Sequence, residues 1–161
     1  MCLQVAEGME HLTSLGFIHK DLATRNILIS PSYDVKISSL SLCHGPFSRE
    51  YFLLRQELVP LRWMAPEAVV KRELTVASDI WSYGVLFWEV FAGGCLPFEG
   101  MTDEEVLRNA RAGEIKLDRP LGCPEDAWKV AVRCFQVVPA ERPNFTGLAS
   151  LVSAILVDSS V

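Results

Sequence analysis

The stretch SDIWSYGVLFWEVFAGGCLPF, residues 78–98, constrains the fold more than any other part of the chain. Its large apolar side chains fall on every side of a helix rather than along one stripe, so a helix here must be surrounded by protein. Its length approaches a membrane span. However, Glu89 lies inside it, Asp79 precedes its apolar run, and Gly93, Gly94 and Pro97 break it. An ionised carboxylate in hydrocarbon costs about 2.5–3.5 kcal/mol. The reading is a buried central helix, capped by Thr75 and ending near Phe91.

The remaining chain must cover that helix. Val5, Met9 and Leu12 share one face of an opening helix that Gly16 stops. NILIS and DVKIS flank Pro31-Ser32-Tyr33 and read as a small β-hairpin. Residues 42–62 show no sustained period and read as one long loop. Thr102 and Glu105 form a capping box for a helix ended by Gly113. Pro124 opens a further helix, and FTGLASLVSAIL is the last. The expected fold is mainly α with a small β-hairpin.

The 161 residues are 50% hydrophobic with a net charge of −5, which suits one folded domain and excludes disorder. No basic cluster indicates nucleic acid. The five cysteines, Cys2, Cys43, Cys95, Cys123 and Cys134, form no zinc-type spacing and read as reduced thiols. His11 and His44 have no metal-ligand partners in sequence and read as solvated, so no metal is expected. No secretory signal opens the chain, and residues 158–161 form a tail. The terminal Ser-Ser-Val matches a pattern that strand-adding domains accept, although three residues recur by chance.

HKDLATRN, residues 19–26, places an aspartate and an asparagine at the spacing that phosphotransfer requires. The first orients an attacking hydroxyl and the second reaches a metal beside the phosphates. PLRWMAPEAV (60–69), SDIWSYGVLFWEV (78–90) and RPNF (142–145) follow in order. Together, over residues 1–157, they resemble the C-terminal lobe of a protein kinase. ATRN and LRWMAPE resemble the tyrosine-kinase group.

The resemblance implies catalytic-loop roles for Asp21, Arg25 and Asn26, with the PLRWM segment as the floor beneath a substrate tyrosine. It implies structural roles for His19, Asp79, Trp81 and the pair Glu67–Arg142. It also implies a nucleotide-binding N-terminal lobe. The glycine-rich loop and strand lysine of such a lobe are not among these residues, so a fragment is expected.

Two departures matter. The metal-binding Asp-Phe-Gly triplet of active kinases aligns with Ser39-Leu40-Ser41. A serine hydroxyl is a poor ligand for a hard dication. Lys20 stands where arginine is usual, offering a point charge in place of a fork. An altered triplet, HxDLATRN, VPLRWM and GCP together resemble the inactive tyrosine-protein kinase seven and off-track receptors.

That resemblance implies a catalytically impaired, cytoplasmic pseudokinase of a membrane receptor, scaffolding Wnt and planar-cell-polarity signalling. Its expected partners are signalling proteins and the remainder of the receptor. No cofactor is expected. ATP and magnesium enter only under the alternative, an active protein tyrosine kinase. Tyr51, in the long loop, is either a phosphorylation site or an exposed aromatic.

Overall fold

A computed structural model describes residues 1–39 and 46–158. Leu40, Ser41, Cys43, His44 and the terminal Ser-Ser-Val lie outside the described residues. Among the described residues six α-helices follow in the order α1 (Cys2–Ser14), α2 (Pro66–Lys71), α3 (Val76–Phe91), α4 (Asp103–Ala112), α5 (Glu125–Cys134) and α6 (Phe145–Asp158). Two antiparallel hairpins accompany them: β1 (Ile27–Ile29) with β2 (Val35–Ile37), and β3 (Phe52–Leu54) with β4 (Glu57–Val59).

The central helix is α3. Every residue from Ser78 to Phe87 is buried. Thr75 caps it through a box with Ser78, each side chain bonding the other's backbone amide. One side of α3 packs with α1, α5 and α6 around Met9, Tyr83, Val130 and Phe145. The other packs with α2, α4 and the one-turn helix Leu61–Trp63, around Trp63, Val69, Val106 and Leu117. Gly84 permits the close approach of α5, since a Cβ there would stand 2.7 Å from the Cys134 Cβ. That separation is below any real contact, so residue 84 has to lack a side chain.

The reading of residues 42–62 as one long loop is corrected. Among the described residues it contains a helical turn at Ser48–Glu50, the hairpin β3–β4 and the turn Leu61–Trp63. The β3–β4 turn is made by Arg55 and Gln56, both left-handed at φ 50° and 72°. Neither is a glycine or asparagine, so the usual signal of such a turn is missing from the sequence.

Apolar side chains reach solvent after α1 and on the first hairpin. Leu15 and Phe17 follow α1, and Leu28, Ile29 and Tyr33 lie on the β1–β2 hairpin; all five are exposed. Among the described residues no helix is long and apolar enough to cross a membrane.

Candidate functional site

The segment 19–26 is held in place by the central helix. Asp79, one turn into α3 and almost wholly buried, accepts from the His19 amide at 2.6 Å and from the Lys20 amide at 2.9 Å. Burial pushes the Asp79 carboxyl above its ordinary range, and these two amides oppose that shift. The left-handed backbone at Lys20, φ 70°, turns the chain so that both amides point at one carboxylate. The His19 Nε2 donates to the Ser38 carbonyl at 2.9 Å, while its Nδ1 accepts from the Asp21 amide at 3.3 Å. That pattern requires the proton on Nε2. It also ties the loop to the end of β2, one residue before Ser39.

Asp21, Arg25 and Asn26 stand together. The Asn26 side-chain nitrogen donates to the Asp21 carbonyl at 2.7 Å and closes the loop. The Arg25 guanidinium is buried and pairs with one Asp21 oxygen. Its Nη1 reaches Glu50 at 2.8 Å and its Nε donates to the Tyr51 hydroxyl at 2.9 Å. Tyr51 in turn donates to the other Asp21 oxygen at 2.6 Å. Both carboxylate oxygens of Asp21 are therefore engaged within the chain. Burial, followed by the Asp21 hydrogen bond, pushes the Tyr51 phenol up to about 12. The hydroxyl thus remains a donor at neutral pH.

Tyr51 is not the exposed aromatic of the plainer sequence reading. It packs against the Arg25 guanidinium at 4.7 Å, and Trp63 covers the same cation at 4.2 Å.

Two members of this network, Glu50 and Glu89, are not singled out as site residues by the sequence. In the sequence Glu89 serves only as a carboxylate that argues against a membrane span. It accepts from the Thr24 amide at 3.1 Å, the Thr24 hydroxyl at 2.7 Å and the Trp63 indole at 2.8 Å. Burial pushes its carboxyl above the ordinary glutamate range, against those hydrogen bonds. A carboxylate in an otherwise apolar helix was the available signal, because a buried charge must find donors. Glu50 carries no comparable signal, and Trp63 enters the sequence reading only as part of the PLRWM segment.

Arg62 completes the floor. Its guanidinium bonds Asp103 at 2.9 Å and the carbonyls of Pro97, Phe98 and Met101 at 2.7–2.8 Å. The PLRWM segment is thereby fastened to the α3–α4 connection. Farther off, Arg142 forms a two-pronged pair with Glu67 at 2.5 and 2.8 Å.

The donor set does not fit a magnesium site. Ser39, at the place of the metal-binding aspartate, offers an exposed neutral hydroxyl. Among the described residues no group of three His, Cys, Asp or Glu side chains could hold a metal ion. A hard dication wants anionic oxygens, and the one carboxylate beside Asn26 is already paired with a guanidinium and a phenol.

A helical domain with a loop of this geometry defines a kinase-type lobe. Residues 1–152 match the family model described as protein tyrosine and serine/threonine kinase, and the chain belongs to that family. It is 45% identical to human (Homo sapiens) "Inactive tyrosine-protein kinase 7", over 99% of this chain and 15% of that protein. The Gallus gallus protein of the same name is 46% identical over the same shares. "Tyrosine-protein kinase-like otk" of Drosophila willistoni is 40% identical over 97% of this chain and 15% of its own. The chain thus spans about 15% of the length of the curated relatives it matches.

Proposed function

We propose that this kinase-like chain performs no phosphotransfer and serves as a signalling scaffold of a receptor of the Wnt and planar-cell-polarity type, on the cytoplasmic side of the plasma membrane. The observation that carries the first half is the serine at position 39, which release of the loop does not change; in this conformation Asp21 is also closed, its two oxygens taken by Arg25 and Tyr51. The carboxylate that would orient an incoming hydroxyl already holds one from its own chain. At Ser39 a metal that bridges phosphates lacks its principal ligand. The names of the relatives, one of them called inactive, support it too. The scaffold role rests on the family resemblance, and its partners are signalling proteins and the rest of the receptor.

Tyr51 is the proposed modification site. A phosphate brings about −1.5 to −2 charges at neutral pH. Asp21 and Glu50 would repel it, so docking of Tyr51 and its phosphorylation exclude each other. Phosphorylation would release the loop and present the residue to a partner. The exposed apolar residues Leu15, Phe17, Leu28 and Ile29 are the proposed meeting face for the receptor remainder. The isolated chain is accordingly expected to self-associate in sedimentation.

The test is a thermal-shift titration with Mg-ATP, followed by radiolabel transfer to a poly-Glu-Tyr substrate. The expected result is no magnesium-dependent stabilisation and no incorporation, in the wild type and in Ser39→Asp alike. Stabilisation together with phosphotyrosine that disappears in Asp21→Asn would overturn the proposal.

A further inference from the structure

Away from the loop, α3, α5 and the segment after α4 enclose a cavity of about 470 Å³. That volume lies within the roughly 300–1,000 Å³ typical of small-molecule sites. Four aromatic residues line it, Trp81, Phe98, Trp128 and Phe135, with Leu117 and Val132 beside them. The Trp81 and Phe135 rings meet at 5.2 Å and 65°, and Trp128 and Phe135 at 6.2 Å and 56°. The rings pack on one another in the inclined arrangement in which ring quadrupoles attract, and Trp128 and Phe135, only half-buried, leave ring surface for a flat guest.

One wall also carries polar capacity. Residues 114–118 alternate exposed and buried, with Ile115 and Leu117 turned inward. The Glu114 amide bonds the Asn109 carbonyl at 2.9 Å, and the Asp118 carbonyl accepts from the Trp88 indole at 2.9 Å. Between these ties, among the described residues, the amides of Ile115, Lys116 and Leu117 find no backbone acceptor. Lys116, Glu114 and Gln136 also line the cavity. Lys116 and Glu114 offset each other in charge, which favours a neutral or singly charged polar end over a multiply charged one.

We propose that this cavity binds a planar aromatic small molecule bearing one hydrogen-bonding polar group, ring against Trp81, Trp128 and Phe135, polar end toward the backbone of residues 115–117. The site is independent of the Asp21–Tyr51 network and of the function proposed for it.

The probe is anilinonaphthalenesulfonate, titrated into the nitrogen-labelled chain. The four indole N–H resonances are assigned by single Trp→Phe variants. Trp81 and Trp128 line the cavity and Trp63 does not. The expected result is a saturable shift of the Trp81 and Trp128 signals with Trp63 unmoved. Val132→Phe and Val137→Phe project bulk into the cavity from exposed positions and should each weaken binding about tenfold or more, with unchanged circular dichroism. Two variants are used so that one poorly folded protein does not decide the matter. Unmoved Trp81 and Trp128 signals, equal shifts at Trp63, or titrations indifferent to both folded variants would each overturn the proposal.

Discussion

Two buried arginines do similar chemistry in different settings. Arg142 lies over Trp81 at 5.2 Å and pairs with Glu67. Arg25 lies over Trp63 at 4.2 Å and pairs with Asp21 and Glu50. The remaining donors separate them. Arg142 also bonds the main-chain carbonyls of Gln136 and Ala77 at 2.9 and 2.8 Å. It joins the start of α2, the start of α3 and the approach to α6, and no single loop can move without breaking it. Arg25 bonds side chains only, and two of its three partners, Glu50 and Tyr51, belong to one loop. Moving that loop undoes most of the network. The first arginine is fastened to architecture, and the second works as a latch.

The largest expected effect tests that contrast directly. Arg142→Ala leaves Glu67 as an uncompensated carboxylate in a nearly closed site, its side chain only 11% exposed. Breaking such a pair costs about 3–5 kcal/mol. Arg25→Ala leaves Asp21 and Glu50, at 17% and 22% exposed, better able to rehydrate. Denaturant titration should show a clearly larger loss for Arg142→Ala. Equal losses would mean that the loop is as much a part of the scaffold as α2, and the latch reading would fail.

The same contrast separates what the sequence revealed from what it hid. The central helix was legible because its apolar residues surround it and Thr75 announces its start; it runs Val76–Phe91. The helix after Thr102 was legible through its box with Glu105 and its stop at Gly113, φ 71°. These signals are local, written within a few residues. The β3–β4 hairpin and the position of Tyr51 were not legible. A turn of Arg55 and Gln56 has no characteristic composition, and the loop is placed by contacts to residues 25 to 30 positions away. Glu89 fell between the two cases: its oddity was visible, but Thr24 and Trp63 lie 65 and 26 residues off.

Glu89 gives the intermediate effect, because it fastens the latch region to α3. Glu89→Ala orphans the Trp63 indole and two Thr24 donors, and one unmet buried donor costs about 1–3 kcal/mol. Glu89→Gln keeps an acceptor and should lose far less. The two also differ in pH response. The Glu89 carboxyl is raised by burial, so the folded state binds its proton more tightly than the unfolded chain does. Stability from this group is therefore present at low pH and falls as pH rises through the raised value. The deficit of Glu89→Gln against the wild type should shrink as pH rises above the ordinary glutamate value of about 4, because only the wild type loses that contribution. A constant difference across that range would show that the carboxyl is not titrating as burial dictates.

The smallest effect is the most specific to the latch. Tyr51→Phe removes one hydroxyl that donates to Asp21 and accepts from Arg25, while the ring remains over the guanidinium. A typical net hydrogen bond contributes about 0.5–1.5 kcal/mol, so global stability should fall by no more than about that. Limited proteolysis should respond far more, with faster cleavage in residues 46–59, since the loop opens without unfolding the helices. The phenol of the wild type adds a signature in alkali. Its value is raised to about 12, above the ordinary tyrosine value of about 10. Its contribution is whole below about pH 10 and is lost as pH climbs toward 12, because the tyrosinate cannot donate to Asp21. Loop protection in the wild type should therefore decline over that window and converge on the level of Tyr51→Phe. Protection that is the same in both proteins at neutral pH would show that Asp21 does not hold the loop, and that Arg25 is as fixed a part of the architecture as Arg142.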